Sequence, residues 1–238
     1  LFSEYPVLAR VIVETIERWV NNSAMFLADL CADWTLLRET FGLETARLSA
    51  VQASGDTHRG GRCVMIVGFS DGQRVVYKPK SLTVDVRFQE LLDWVNARGF
   101  TPQLRTLSVL DRGDRGWVEY VAAQPCSDAN AAERFYERQG GYLALLYALE
   151  ATDVHSENII ASGEHPMMID LEALFHPYLT TPPSLAFHVA GRALNHSVLK
   201  IGMLPQRLWG NNKSAGVDIS GLGGAEGQLS PVALPDWE

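Results

Sequence analysis

"RCVMIVGFSDGQRVVYKP", residues 62–79, consists of two β-rich runs joined by Asp71-Gly72. Glycine supplies the positive φ of a tight turn, so the stretch predicts an antiparallel hairpin. Working outward, residues 82–100 carry Val84, Phe88, Leu91, Leu92 and Val95 at helical spacing and close on Gly99, which predicts a helix. "LRTLSVLDRGDRGWVEYVA" then predicts a second hairpin, turning within "DRGDRG". Residues 127–152 predict a long helix with Ser127 or Asp128 as its N-cap and a break at Gly140-Gly141.

Towards the N-terminus, Ile12, Ile16, Trp19 and Val20, then Phe26, Leu27 and Leu30, predict helices on either side of a break at "NNS". On the C-terminal side, "NIIAS" and "PMMID" predict two short strands separated by "GEH". Pro- and Gly-rich loops follow Phe175, with one helical interlude near residues 185–199. The fold class expected is α+β: a two-lobed, kinase-like core of a small antiparallel-sheet lobe and a helical lobe, with extra N-terminal helices. Its divisions are 1–50 helical, 51–125 β-rich, and 126–238 helical with the polar loops. The chain opens at Leu1 and stops just after a glycine-rich loop, and is expected to be a fragment of a longer enzyme.

Composition narrows the class. With 47% hydrophobic residues among 238, the chain has apolar surface enough for one large domain or two lobes. A net charge of −8 argues against a protein that coats nucleic acid. Cys31, Cys63 and Cys126 have no metal-ligand spacing, so neither a disulfide framework nor a zinc ribbon is indicated and a cytoplasmic location is expected. No apolar run reaches the roughly 18 residues that a membrane span needs.

Residues 150–175, "EATDVHSENIIASGEHPMMIDLEALF", set polar groups beside apolar runs. Asp153 and Asn158 stand five apart, the spacing of catalytic aspartate and metal-binding asparagine in the kinase pattern, and Asp170 follows twelve later. Phosphoryl transfer needs such a set: one carboxylate to orient a hydroxyl, an amide oxygen and a second carboxylate to hold Mg²⁺ on phosphates. Lys78 ends a hairpin strand just before a helix, the context of a phosphate-contacting lysine, and Glu90 is its expected partner. "GDTHRGGR" (55–62) precedes the first predicted strand where a phosphate-covering loop belongs. Asp56 in such a loop repels phosphate, which implies a different or additional reaction. Each feature also has a plain reading as a strand-end lysine, a turn or a cap.

The stretches "GDTHRGGRCVMIVGFSDGQRVVYKPKSL", "DVHSENIIASGEHPMMIDLEALF" and "DISGLGG" resemble the dehydratase domain of class II lanthipeptide synthetases. The resemblance implies a lipid-kinase-like core that uses ATP and Mg²⁺ to phosphorylate Ser and Thr of a precursor peptide, then eliminates the phosphate. It assigns Lys78, Asp153, His155, Asn158, Asp170 and Glu172 to phosphorylation, and Asp56 and His58 to elimination. Within that set, Asn158 and Asp170, with Glu172 as a further carboxylate, are expected at the metal, and Asp153 or His155 at the substrate hydroxyl. The implied partners are a precursor peptide, leader plus core, and a zinc-binding LanC-like cyclase domain. Family members also carry an N-terminal portion and an Arg- and Thr-containing dehydratase segment that are missing from these 238 residues. Two rivals stand: a phosphohydrolase using the pairs Asp56/His58 and Asp153/His155 on two metals, and a non-catalytic peptide-binding module.

Overall fold

The computed structural model describes residues 2, 4–43, 46–58, 60–175, 193–194, 196–208 and 217–223. The chain divides into two compact units, one from Leu1–Trp94 and Thr106–Tyr120, the other from Val95–Arg105 and Val121–Glu238. The architecture is α+β, as the hydrophobic patterns lead one to expect.

The first unit is a helix on an antiparallel sheet. Helix α1 is Pro6–Phe41; the strands are β1 Leu48–His58, β2 Arg62–Phe69, β3 Arg74–Lys78, β4 Val109–Asp111 and β5 Gly116–Glu119, in the order β1-β2-β3-β5-β4. Helix α2, Thr83–Ala97, follows β3. The Asp71-Gly72 turn forms as expected: Gly72 has φ +86°, its N–H donates to the Phe69 carbonyl at 3.0 Å, and Gln73 N–H donates to the Asp71 carboxylate. Phe26, Leu30 and Leu37 recur at helical spacing and meet Val67, Phe69, Val75, Tyr77 and Trp117 in one core.

Two expectations are corrected here. α1 runs through "NNS" without a break, because Asn22 does not turn back on its own backbone but donates its amide to the Gly60 carbonyl at 3.2 Å. The first strand is not Arg62–Phe69 but β1, which pairs antiparallel with it. β1 is a sheet edge on which none of residues 48–55 is buried, and its many small and polar residues leave no period-two signal.

Asp33 lies inside the apolar face of α1 and is wholly buried. Its carboxylate accepts from Arg112 Nε at 2.8 Å, Arg115 Nε at 2.9 Å and Trp117 Nε1 at 3.0 Å. One turn earlier, Asp29 accepts from the Tyr77 hydroxyl at 2.7 Å and meets Arg115 at 3.3 Å. These acids bind the helix to β3, to β5 and to the turn that "DRGDRG" makes. Burial alone would raise the Asp33 carboxyl, but the hydrogen bonds from Arg115, Trp117 and Arg112 outweigh it and hold it below its ordinary range.

The second unit is built on α3, Ala129–Ala148, and the hairpin of β6 Ile159–Ser162 with β7 His165–Met168. Asp128 is the N-cap, its carboxylate accepting from Ala131 N–H at 2.8 Å. The helix passes through Gly140-Gly141 unbroken. Gly141 answers to packing: a Cβ there would lie 2.4 Å from Phe100 Cζ. Gly141→Leu should therefore lower the urea midpoint, with overpacking of about 1–3 kcal/mol exceeding the roughly 1 kcal/mol gained by replacing a helical glycine. Arg138, buried on α3, donates to the carbonyls of Gln103 at 2.7 Å and Glu164 at 2.9 Å and so fixes the β6–β7 turn. β8 Arg207–Leu208 and β9 Val217–Asp218 form a short pair. The helical interlude predicted at 185–199 falls largely outside the described residues. Among the described residues no helix is long and apolar enough to cross a membrane.

Candidate active site

In the first unit, Lys78 is the last residue of β3, paired with Gly116 on β5. Its ammonium lies 3.3 Å from the Asp85 carboxylate, and the two side chains are only 10% and 11% exposed. A lysine this buried needs a charge partner, and Asp85 sits in the first turn of α2, where the helix dipole favours an acid. Glu90, the partner expected from position, is corrected: it is exposed and holds Arg87 at 2.7 Å. The reason is helical geometry. Glu90 follows Asp85 by five residues, about 140° around the axis, and points away from the face that Asp85 presents to Lys78.

Asp56 and His58 belong to the last residues of β1, and their side chains lie outside those described. The backbone there is irregular. Ser54 pairs with Val64 and His58 with Arg62, so residues 55–57 face Cys63 alone. Such bulges redirect side chains and recur beside active sites.

In the second unit, one layer of backbone gathers Asp153, His155, Asn158 and Asp170. Asp153 has φ +60°, a left-handed conformation that costs a non-glycine residue energy and that aspartate tolerates better than most. Val154 N–H donates to Ile201 and Ser156 N–H to Ile219, which ties this turn to the segments around Gly202 and Ser220. A 3-10 turn, Ser156–Asn158, follows, with His155 Nδ1 accepting from Glu157 N–H at 3.3 Å. His155 Nε2 and Asp153 Oδ1 are 3.8 Å apart, beyond hydrogen-bond reach of each other.

Asn158 links the two halves of the polar stretch. Its amide nitrogen donates to the Asp153 carbonyl at 2.8 Å, and its own carbonyl accepts from Ile169 N–H at 3.0 Å, which brings the end of β7 alongside. Asp170 follows, and its carboxylate accepts from Glu172 N–H at 3.3 Å. Asn158 and Ile169, eleven apart in sequence, thus meet through the β6–β7 hairpin, whose turn Arg138 fixes. Glu172 is exposed.

Commitment of the Asn158 nitrogen leaves Oδ1 as its outward donor, and Asp170 adds a carboxylate. These are hard oxygen donors of the kind Mg²⁺ takes alongside phosphate and water. Among the described residues no three His, Cys, Asp or Glu side chains converge as a metal site. Sequence reasoning missed Asp85, Arg138 and Ser220. An acid in the first turn of the helix after Lys78 was a usable signal for the first; long-range contacts such as those of Arg138 leave none.

The described residues thus give an α+β protein with a buried lysine on a strand end in one unit, and Asp153, Asn158 and Asp170 around a small hairpin in the other. The chain belongs to the family described as "Domain of unknown function (DUF4135)", which matches residues 5–238. It is also 28% identical over 230 residues to the Lacticin 481/lactococcin biosynthesis protein LcnDR2 of Lactococcus lactis subsp. lactis. That alignment takes in 92% of this chain and 24% of the relative, so the chain spans about a quarter of that protein's length.

Proposed function

We propose that this chain is the phosphoryl-transfer part of an enzyme of lantibiotic biosynthesis that dehydrates Ser and Thr residues of a precursor peptide with ATP and Mg²⁺. The observation that carries this reading is the bonded set in which Asn158 joins Asp153 to the strand leading to Asp170. The biosynthetic role named for the similar lactococcal protein supports the same direction.

In this reading Asp153 or His155 takes the proton of the substrate hydroxyl as its oxygen attacks the terminal phosphorus of ATP, and ADP leaves. Asn158 and Asp170 would hold Mg²⁺, with Glu172 as a further carboxylate, and the ion would supply neutralisation of phosphate charge. Lys78 serves the phosphates, with Asp85 fixing its position. Elimination then needs a base for the α-proton, with the phosphate departing on the electron pair of its C–O bond. Asp56 and His58 fill that task, histidine being suited to proton transfer near neutral pH.

Three measurements test this. Calorimetry on the full-length protein should detect ATP binding that requires Mg²⁺; no nucleotide binding would favour the peptide-binding module. His58→Ala should let phosphorylated peptide accumulate in mass spectra, whereas unmodified peptide would overturn the division of labour. Release of phosphate from simple esters without ATP would favour the phosphohydrolase.

A further inference from the structure

Beside Asp153 and His155 lies an open cavity of about 160 Å³, lined also by Val154, Gly202, Gln206, Ile219 and Ser220. Its walls are built closely. Gly202 has φ +84°, and a Cβ there would lie 3.3 Å from Val154 N; one at Gly221 would lie 3.0 Å from Val154 O and 2.7 Å from Ile159 Cδ1. Gly221 N–H donates to Gly202 and Leu222 N–H to Met203, which locks the "DISGLGG" segment onto the turn after Ile201. Two glycines therefore let three strands of backbone close around Val154.

Size and charge restrict what the cavity takes. It has the volume of roughly five water molecules at about 30 Å³ each. Pockets for ligands of nucleotide size run to about 300–1,000 Å³. The carboxylate of Asp153 on its wall opposes an anion, so a phosphate group is disfavoured for the same reason. One small, neutral, hydroxyl-bearing side chain fits. Two lining residues suit such a guest. Ile219 is 47% exposed and gives an apolar lip. Ser220 is 2% exposed, and its hydroxyl has no hydrogen-bond partner among the described residues. A buried hydroxyl left unpaired costs free energy that a bound partner recovers.

We infer that this cavity is the acceptor pocket, taking one Ser or Thr side chain of the peptide, with Ile219 against its aliphatic part and Ser220 as a positioning residue. The Ser220 hydroxyl turns about χ1 to hydrogen-bond the acceptor oxygen and hold it towards Asp153 and His155. This rests on the phosphoryl-transfer reading above.

The test uses full-length protein, ATP, Mg²⁺ and a Ser/Thr-containing lantibiotic precursor peptide. Ser220→Ala should keep the thermal midpoint and the ATP affinity while raising the peptide KM about three- to tenfold, the worth of one neutral hydrogen bond. Ile219→Trp should raise that KM at least about tenfold, again at unchanged ATP affinity. A wild-type peptide KM in both variants overturns the pocket while leaving phosphoryl transfer standing. A lowered thermal midpoint in Ser220→Ala makes its hydroxyl structural, and weakened ATP binding in both gives the cavity to nucleotide; either contradicts the inference. If the unsubstituted protein leaves the peptide unmodified, the phosphoryl-transfer reading falls first and the pocket with it.

Discussion

Asp170→Ala in the full-length protein lowers ATP-dependent modification of the precursor peptide by about 10²–10³-fold or more, the loss expected when one preorganised electrostatic group is removed from a transition state. Asp170 lies two residues past the end of β7, and its carboxylate accepts from Glu172 N–H at 3.3 Å. Loss of the bond to Glu172 N–H costs about 0.5–1.5 kcal/mol, and the thermal midpoint of the variant reports whether it remains folded. Asp170→Asn separates charge from shape: it keeps an acceptor for Glu172 N–H and loses the negative charge that a cation needs. Both variants should be equally inactive in initial-rate assays by mass spectrometry. Wild-type rates from Asp170→Asn would remove Asp170 from the metal. Asp153→Ala belongs to the same test, and it too should abolish modification.

Asp33→Ala should destabilise the first unit by about 3–5 kcal/mol, the usual cost of breaking a buried ion pair by removing one partner. Arg112, Arg115 and Trp117 all donate to this one carboxylate, and Trp117 belongs to the aromatic core with Phe26 and Tyr77. Truncation leaves two guanidinium groups and an indole N–H without their acceptor. The effect carries a pH signature. Because the folded-state pKa is depressed, the stabilisation is complete above the unfolded value of about 3.9 and is lost as pH falls through the folded value. Urea midpoints should therefore fall between pH 5 and acid for the unsubstituted protein, and less so for Asp33→Asn. A loss under about 1 kcal/mol for Asp33→Ala at pH 7 would mean that the network is replaceable.

The strongest local signals in the sequence were reliable ones. Asp71-Gly72 produced its turn, Asp128 its cap, and the apolar pairs in "NIIAS" and "PMMID" their hairpin. What stayed hidden depended on partners far away in the chain. Asn22 was read as a helix break because its sequence neighbours say nothing of the Gly60 carbonyl that accepts its amide. β1 escaped because an exposed edge strand has no buried face to impose alternation. The face of α2 was read from apolar residues as Val84, Phe88, Leu91, Leu92 and Val95, yet the buried set is Asp85, Phe88, Gln89 and Leu92. Two polar side chains turn the helix: Asp85 meets Lys78, and Gln89 accepts the Leu107 N–H at 2.8 Å. The same rotation excludes Glu90.

In the candidate site, spacing alone marked Asp153, Asn158 and Asp170, because a five-residue interval and a hairpin-length interval are properties of the chain itself. It did not mark Ser220. That residue joins them through an antiparallel bridge with His155 across 65 positions, and a motif quoted from sequence carries no sign of which wall it lines.

The most direct measurement is a time course of a Ser/Thr-containing lantibiotic precursor peptide, incubated with the full-length protein, ATP and Mg²⁺ and followed by mass spectrometry. Phosphopeptide that rises first and is then replaced by peptide lacking water at the same Ser or Thr positions is the predicted course. Dehydrated peptide formed equally without ATP, or peptide unchanged throughout, would contradict it.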